Sequence, residues 1–223
     1  MPVYDFHTHT FLSDGVLSPM VLIRRAYDKG YAAIAITDHV GIATQERVIP
    51  VLVEECARAM QKWDIIAIPG VEITHVPADL IQEAAEKAKS LGAKLVVVHG
   101  ETIVEPVEPG TNTEALNSPH VDVLAHPGLL TTEQAKEAAK GGVFLEISAR
   151  RGHSLCNGHV ARIGLQAQAL LILNSDAHGP EDLLTEEQAQ QTSLGAGLNR
   201  EDLKALLETN PKKLLRKLGL SPL

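Results

Sequence analysis

His7 and His9 stand two residues apart in VYDFHTHTFLSDG (3–15), and Asp176 and His178 repeat that spacing in LILNSDAH (171–178). Side chains two apart on a strand point the same way, with Cα atoms roughly 6.5–7 Å apart. Each pair therefore faces one pocket and can bind one cation. Four more apolar runs end on the same residue types: AIAITDH (33–39), AIPGVEIT (67–74), KLVVVHGE (94–101) and VDVLAHPG (121–128). In TDH, His39 is at the strand end and Asp38 points away from its face. Imidazole with carboxylate suits zinc, manganese or iron, whereas all-oxygen sets suit magnesium or calcium. Taken singly, HxH, TDH or DAH has an ordinary explanation as a turn or a hydrogen-bonded core histidine. Together they do not, because buried ionisable groups are costly unless paired or metal-bound. The joint pattern predicts a multinuclear metal site.

The elements that must carry these residues alternate from end to end. Ser18-Pro19 reads as an N-cap followed by proline at the first helical position, with Gly30 as the stop. Strands are expected at 32–38, 65–73, 94–99, 121–125, 143–148 and 170–175, after a first strand that leads into His7. Helices are expected near 44–62, 113–117, 131–140 and 157–169. Asp79 reads as the cap of a further helix, whose stripe is Leu80, Ile81, Ala84, Ala85, Ala88 and Leu91, and Asn210-Pro211 as the start of the last one. Seven β-α units result, and no linker divides residues 1–223. The expected architecture is α/β, a single-domain barrel with the ligands at the C-terminal strand ends, where β/α barrels gather active-site residues. An open doubly wound sheet is the alternative, but it would bring six strand ends together less symmetrically.

Composition narrows the function. Aromatic residues make up 3% of the 223 and the formal net charge is −8, so neither a stacking platform nor a basic face for long nucleic acid is expected. Metals could still supply the local positive charge that a small phosphate ester needs. Cys56 and Cys156 have no CxxC spacing and imply no disulfide framework. Met1 leads straight into a ligand-bearing strand, and no apolar run approaches the roughly 20 residues of a membrane helix. A cytoplasmic protein is expected.

FHTHT with SDG (6–15), ITDH (36–39), the Glu of PGVEIT (69–74), the His of VVVHG (96–100), AHPG (125–128) and NSDAH (174–178) together resemble the PHP (polymerase and histidinol phosphatase) superfamily over nearly the whole length. The resemblance implies a distorted seven-stranded (β/α)7 barrel with a trinuclear centre of up to three Zn2+, Mn2+ or Fe2+ ions. One metal would be held by His7, His9, Glu72 and Asp176. A second would share Glu72 and add His99 and His126. The third would be held by Asp14, His39 and His178, with Asp14 standing where some relatives carry histidine.

LEISARRGH (145–153) follows the sixth strand, so Arg150 and Arg151 can reach over the barrel mouth as a fork for phosphate. His153 would bind phosphate or protonate a leaving group. Glu101 and His75 are candidates to orient a ligand, and Glu146 is either a polar core residue or such a partner. His159 begins a helix and is a weaker candidate than His153, and His120, before a strand at the opposite end of the barrel, reads as structural. The resulting expectation is a phosphoesterase acting on a small phosphomonoester, histidinol phosphate being the first substrate to try. A hydroxide bridging two metals would attack phosphorus in line. One alternative is an exonuclease or nucleotide phosphatase acting on oligonucleotide ends or nucleoside bisphosphates. A remoter one is a metal-free scaffold subunit of an RNA-processing complex, which would call for missing ligands and a basic surface.

Overall fold

Each long apolar run becomes a parallel strand, and the stretches between become helices that cover the outside. The computed structural model describes residues 2–222. Its strands are β1 (Val3–Asp5), β2 (Tyr31–Ile36), β3 (His39–Val40), β4 (Ile66–Ile73), β5 (Leu95–His99), β6 (Val123–Ala125), β7 (Phe144–Ser148) and β8 (Leu171–Asn174). Its helices are α1 (Pro19–Asp28), α2 (Gln45–Met60), α3 (Ile81–Ser90), α4 (Thr111–Asn117), α5 (Thr132–Gly141), α6 (Asn157–Gln166), α7 (Glu186–Gly195), α8 (Arg200–Lys204) and α9 (Asn210–Lys217). Pairing is parallel throughout, in the order β1-β2-β4-β5-β6-β7-β8, with β3 added to β4.

The seven principal strands form a nearly closed barrel. Between β1 and β8 the seam is held by a single parallel bridge, Thr8 to Ala177, in which the His9 N–H donates to the Ala177 carbonyl at 2.8 Å. Side chains stitch the rest. The Phe6 N–H donates to Asn174 Oδ1 at 2.9 Å, and the Ser175 N–H to Asp5 Oδ1 at 3.1 Å.

Strand alternation divides the apolar residues between two layers. Ile34, Ile36, Val96, Val98, Leu145 and Ile147 face the outer helices, while Ala33, Ala35, Leu95, Val97, Phe144 and Ile172 fill the barrel. Leu214 and Leu215 of α9 join the inner cluster beside Ile66, Leu95 and Phe144, the first residues of their strands. The last helix thus fills the end of the barrel opposite the histidines. The same alternation carries Glu72, His99, Glu146 and Asn174 onto the inner face.

Three local expectations are corrected. The second strand stops at Ile36 and resumes as β3, with His39 in register with Glu72, because Asp38 turns aside to bond the loop after β1. Asp79 caps nothing, since α3 is entered through a 3-10 turn at Ala78–Leu80 without a side-chain cap. Asn210-Pro211 opens α9 as expected, but Asn210 is not a cap, because α8 continues into α9 through a π-turn at Ala205–Thr209. That wider turn absorbs the hydrogen bond proline cannot donate. Among the described residues no helix is long and apolar enough to cross a membrane.

Candidate metal centre

The barrel mouth gathers nine predicted ligands from every side. His7 Nε2 lies 3.2 Å from Glu72 Oε2, and His9 Nε2 lies 3.3 Å from Asp176 Oδ1 and 3.6 Å from Glu72 Oε2. His126 Nε2 approaches the other Glu72 oxygen at 3.4 Å. The His99 ring stands edge-on to His126, 4.4 Å between centroids, with Nδ1 turned to the Gly100 carbonyl. On the outer side, Asp14 Oδ2 is 3.0 Å from His178 Nε2 and 3.7 Å from His39 Nε2. Four groupings have ligand atoms close enough to share one ion: His7, His9 and Asp176; His7, Glu72 and His126; His9, Asp14, His39 and His178; and His126, His153 and Asp176, with His99 in none of them.

Backbone geometry aims two of these ligands. His126 follows the inward-facing Ala125, so regular alternation would turn it outward. Its φ of +27° breaks the alternation, and Asp176 is likewise at +55°. Such conformations are rare outside glycine and cluster where function fixes a side chain.

The donor set fits metal ions on a direct observation. His7 Nε2, both ring nitrogens of His9 and both oxygens of Glu72 are buried without a well-aligned hydrogen bond, although His39 Nδ1 comes within 2.8 Å of Glu72 Oε2. Buried polar atoms left unpaired are costly and uncommon. Five converging in one place form a cage for cations, and nitrogen mixed with carboxylate oxygen is the chemistry of zinc, manganese or iron.

Electrostatics agree. Burial opposes charge on His7, but the carboxylates of Glu72, Glu146 and Asp176 outweigh it and hold the ring well above its usual range. Burial, with His7 and His39 nearby, pushes His9 well below. On His39, burial is overcome by Glu72 and Asp14, which hold it at about 9.

Beside the centre, Arg150, Arg151, Ser175, His178, Asp182 and Gln188 help line a cavity of about 580 Å³. The two arginines differ. Arg150 bends back, donating from Nη1 to the Asp176 carbonyl at 3.1 Å. Arg151 is exposed and pairs with no carboxylate among the described residues. His153 is buried and stacks on His126 at 4.1 Å, with Nε2 3.8 Å from Asp176 Oδ2 and Nδ1 2.9 Å from Thr102 Oγ1. Burial, then His126, pushes it down to about 3, so the ring is neutral.

Other candidates stand apart. Glu101 accepts from the Gly110 and Asn112 N–H groups and so fastens its own loop. His75 is exposed, 5.9 Å from the His99 ring. His159 Nε2 meets the Leu130 carbonyl at 2.7 Å, and His120 sits before β6, away from the mouth. Glu105 was not foreseen. Its carboxylate lies 3.7 Å from His99 Nε2 and 3.8 Å from His153 Nε2, reached from a loop whose sequence, EPVEPG, carries no ligand signal.

Residues 5–105 match the family model of the PHP domain. Over 216 residues the chain is 46% identical to an uncharacterized protein, MJ1295, of Methanocaldococcus jannaschii, an alignment covering 96% of this chain and 99% of that one. The chain belongs to the PHP family. The 5'-3' exoribonuclease Rnm of Escherichia coli is 30% identical over 154 residues, which cover 68% of this PHP chain but 46% of that enzyme. Among solved structures, histidinol phosphate phosphatase of Lactococcus lactis, complexed with zinc, L-histidinol and phosphate, superposes with a TM-score of 0.61 at 15% identity, over 88% of this chain and 94% of that one. That likeness is one of fold.

Proposed function

We propose that this PHP protein is a metal-dependent phosphoesterase that hydrolyses a small phosphomonoester at a trinuclear centre, in the manner of a histidinol phosphatase. The observation that carries the reading is the set of five buried donor atoms on His7, His9 and Glu72 that lack a well-aligned hydrogen bond. One ion would be held by His7, His9, Glu72 and Asp176, a second by Glu72, His99 and His126, and a third by Asp14, His39 and His178. Bound there, divalent ions lower the pKa of water and neutralise charge developing on phosphoryl oxygens.

The chain's own residues bind and orient the ester. Arg151, unpaired at the cavity wall, grips non-bridging oxygens, while Arg150 spends one N–H on the Asp176 carbonyl and offers the rest of its fork. His153 is neutral. Its Nδ1 is 2.9 Å from Thr102 Oγ1; where the hydroxyl is the donor, the ring carries its proton on Nε2 and can donate it to a phosphoryl oxygen. The cavity beside His178 and Arg151 receives the alcohol portion.

A second reading keeps the chemistry and changes the substrate to the end of an oligonucleotide or a nucleoside bisphosphate. The 30% identity to an exoribonuclease favours it, and the net charge of −8 with few aromatics weighs against a long strand. Turnover of p-nitrophenyl phosphate, histidinol phosphate and short 5'-phosphorylated RNA, each with Mn2+ or Zn2+, separates the two. Phosphomonoesters should be preferred, and the double variant His7→Ala, His9→Ala should be inactive on all three. Full activity in that variant would sink both readings.

A further inference from the structure

Glu146 is a carboxylate in the middle of a strand, Phe144–Ser148, that is otherwise apolar up to its final serine, and it is 1% exposed. Its two oxygens take three hydrogen bonds from three other segments. Oε1 lies 2.8 Å from His7 Nδ1 and accepts from Asn174 Nδ2 at 2.8 Å, while Oε2 accepts from the His126 N–H at 2.9 Å. Each partner is a proposed ligand or close to one: His7, His126, and Asn174 two residues before Asp176.

An ionised carboxylate only accepts. Its hydrogen bond with His7 therefore puts a proton on Nδ1, so that the metal-binding tautomer leaves the lone pair on Nε2. Nε2 is also the ring atom without a hydrogen-bond partner, 3.2 Å from Glu72. The bond to His126 has its own cause. Positive φ removes that amide from the strand ladder, and Glu146 supplies the acceptor it would otherwise lack. Asn174, whose amide group donates to Glu146, also accepts the Phe6 N–H, so one side chain ties the carboxylate to the barrel seam.

We infer that Glu146 is a positioning residue for the metal centre: it fixes the tautomer and ring plane of His7, and through the His126 amide and Asn174 it sets the spacing of the ligands that follow β1, β6 and β8. The inference rests on the reading of this cluster as a metal centre. A polar residue that merely satisfied buried donors would stabilise the barrel without affecting His7 as a ligand.

Zinc affinity, measured by competition with a chromogenic chelator, distinguishes the two, with circular dichroism and thermal melting of the metal-free proteins as the check on folding. Glu146→Ala should weaken the tightest zinc site by roughly 10–100-fold, the range seen when a partner that orients a metal-bound histidine is removed. In a His7→Ala background the same change should cost clearly less, because the part that acts through His7 is already lost and only the bonds to the His126 amide and Asn174 remain. Glu146→Gln has the same shape and keeps one acceptor. It should lose less affinity and shift the His7 Nδ1–H resonance of the zinc-loaded protein upfield. Should Glu146→Ala fail to fold, Glu146→Gln decides. Wild-type affinity in a folded Glu146→Ala, fully additive losses with His7→Ala, or a Glu146→Gln protein with unchanged affinity and an unchanged His7 resonance would overturn the role of Glu146. A wild-type protein that binds no zinc would instead overturn the centre itself.

Discussion

Asp38 grips Thr10 twice, accepting its backbone N–H on one carboxylate oxygen and its hydroxyl on the other, both at 2.7 Å. The Ser13 hydroxyl adds a third bond at 2.7 Å. A fully buried carboxylate on the break between β2 and β3 thus fastens the loop that runs from His9 to Asp14.

Asp38→Ala should release that loop and destabilise the protein by on the order of 3 kcal/mol, as expected when bonds to a buried charge are lost. Urea unfolding reads the loss. Elemental analysis should also show the ion proposed for Asp14, His39 and His178 depleted before the others. An unchanged unfolding midpoint with full metal content would contradict this role.

Metal binding should release protons. His39, held at about 9, and His7, held well above its usual range, carry protons at neutral pH in the metal-free protein. Both must give them up to become ligands. Their pKa values are raised, so protons compete below them, and affinity should climb as pH rises from 7 toward 9. Calorimetric titration in buffers of different ionisation enthalpy should report release of at least one proton per centre. A pH-independent affinity over that window would count against these assignments.

Chelation should lower thermal stability, because it leaves the buried donors of His7, His9 and Glu72 without well-aligned partners. Ligand linkage sets the scale: free metal at 100 times its Kd stabilises the fold by about 2.7 kcal/mol. A melting temperature that does not respond to chelator or to added Zn2+ or Mn2+ would be inconsistent with a resident cation.

The two arginines should fail differently. Arg151→Ala removes an exposed, unpaired cation and should reduce kcat/KM about ten-fold, near 1.5 kcal/mol for a lost charge-assisted bond, with little change in metal content. Arg150→Ala also frees the Asp176 carbonyl and should weaken metal binding as well as turnover. Identical behaviour of the two variants would contradict the distinction.

How far these residues were legible depends on what each needs. His7, His9, His39, Glu72, His99, His126, Asp176 and His178 could be read because residue type and position at a strand end are both local properties of the chain. Asp14 came from the family resemblance, and the structure sets it 3.0 Å from His178. Glu146 was visible as an odd carboxylate in a strand, but its role depends on three segments far away in sequence. Arg150 and Arg151 look alike in sequence, and only the fold bends one of them back onto Asp176. The turn that aims His126 inward is a φ value, for which Ala-His-Pro carries no sign. The π-turn before α9 was missed for a related reason, since Asn-Pro is an ordinary helix start unless a helix already precedes it.

The central claim is metal-dependent hydrolysis of a phosphate ester. The direct measurement is phosphate release from p-nitrophenyl phosphate by protein stripped with a chelator and then titrated with Mn2+ or Zn2+. Activity should vanish on stripping and return in proportion to metal bound at the centre. Equal turnover by the stripped and the reconstituted protein, or none from a protein carrying its full complement of ions, would contradict the account.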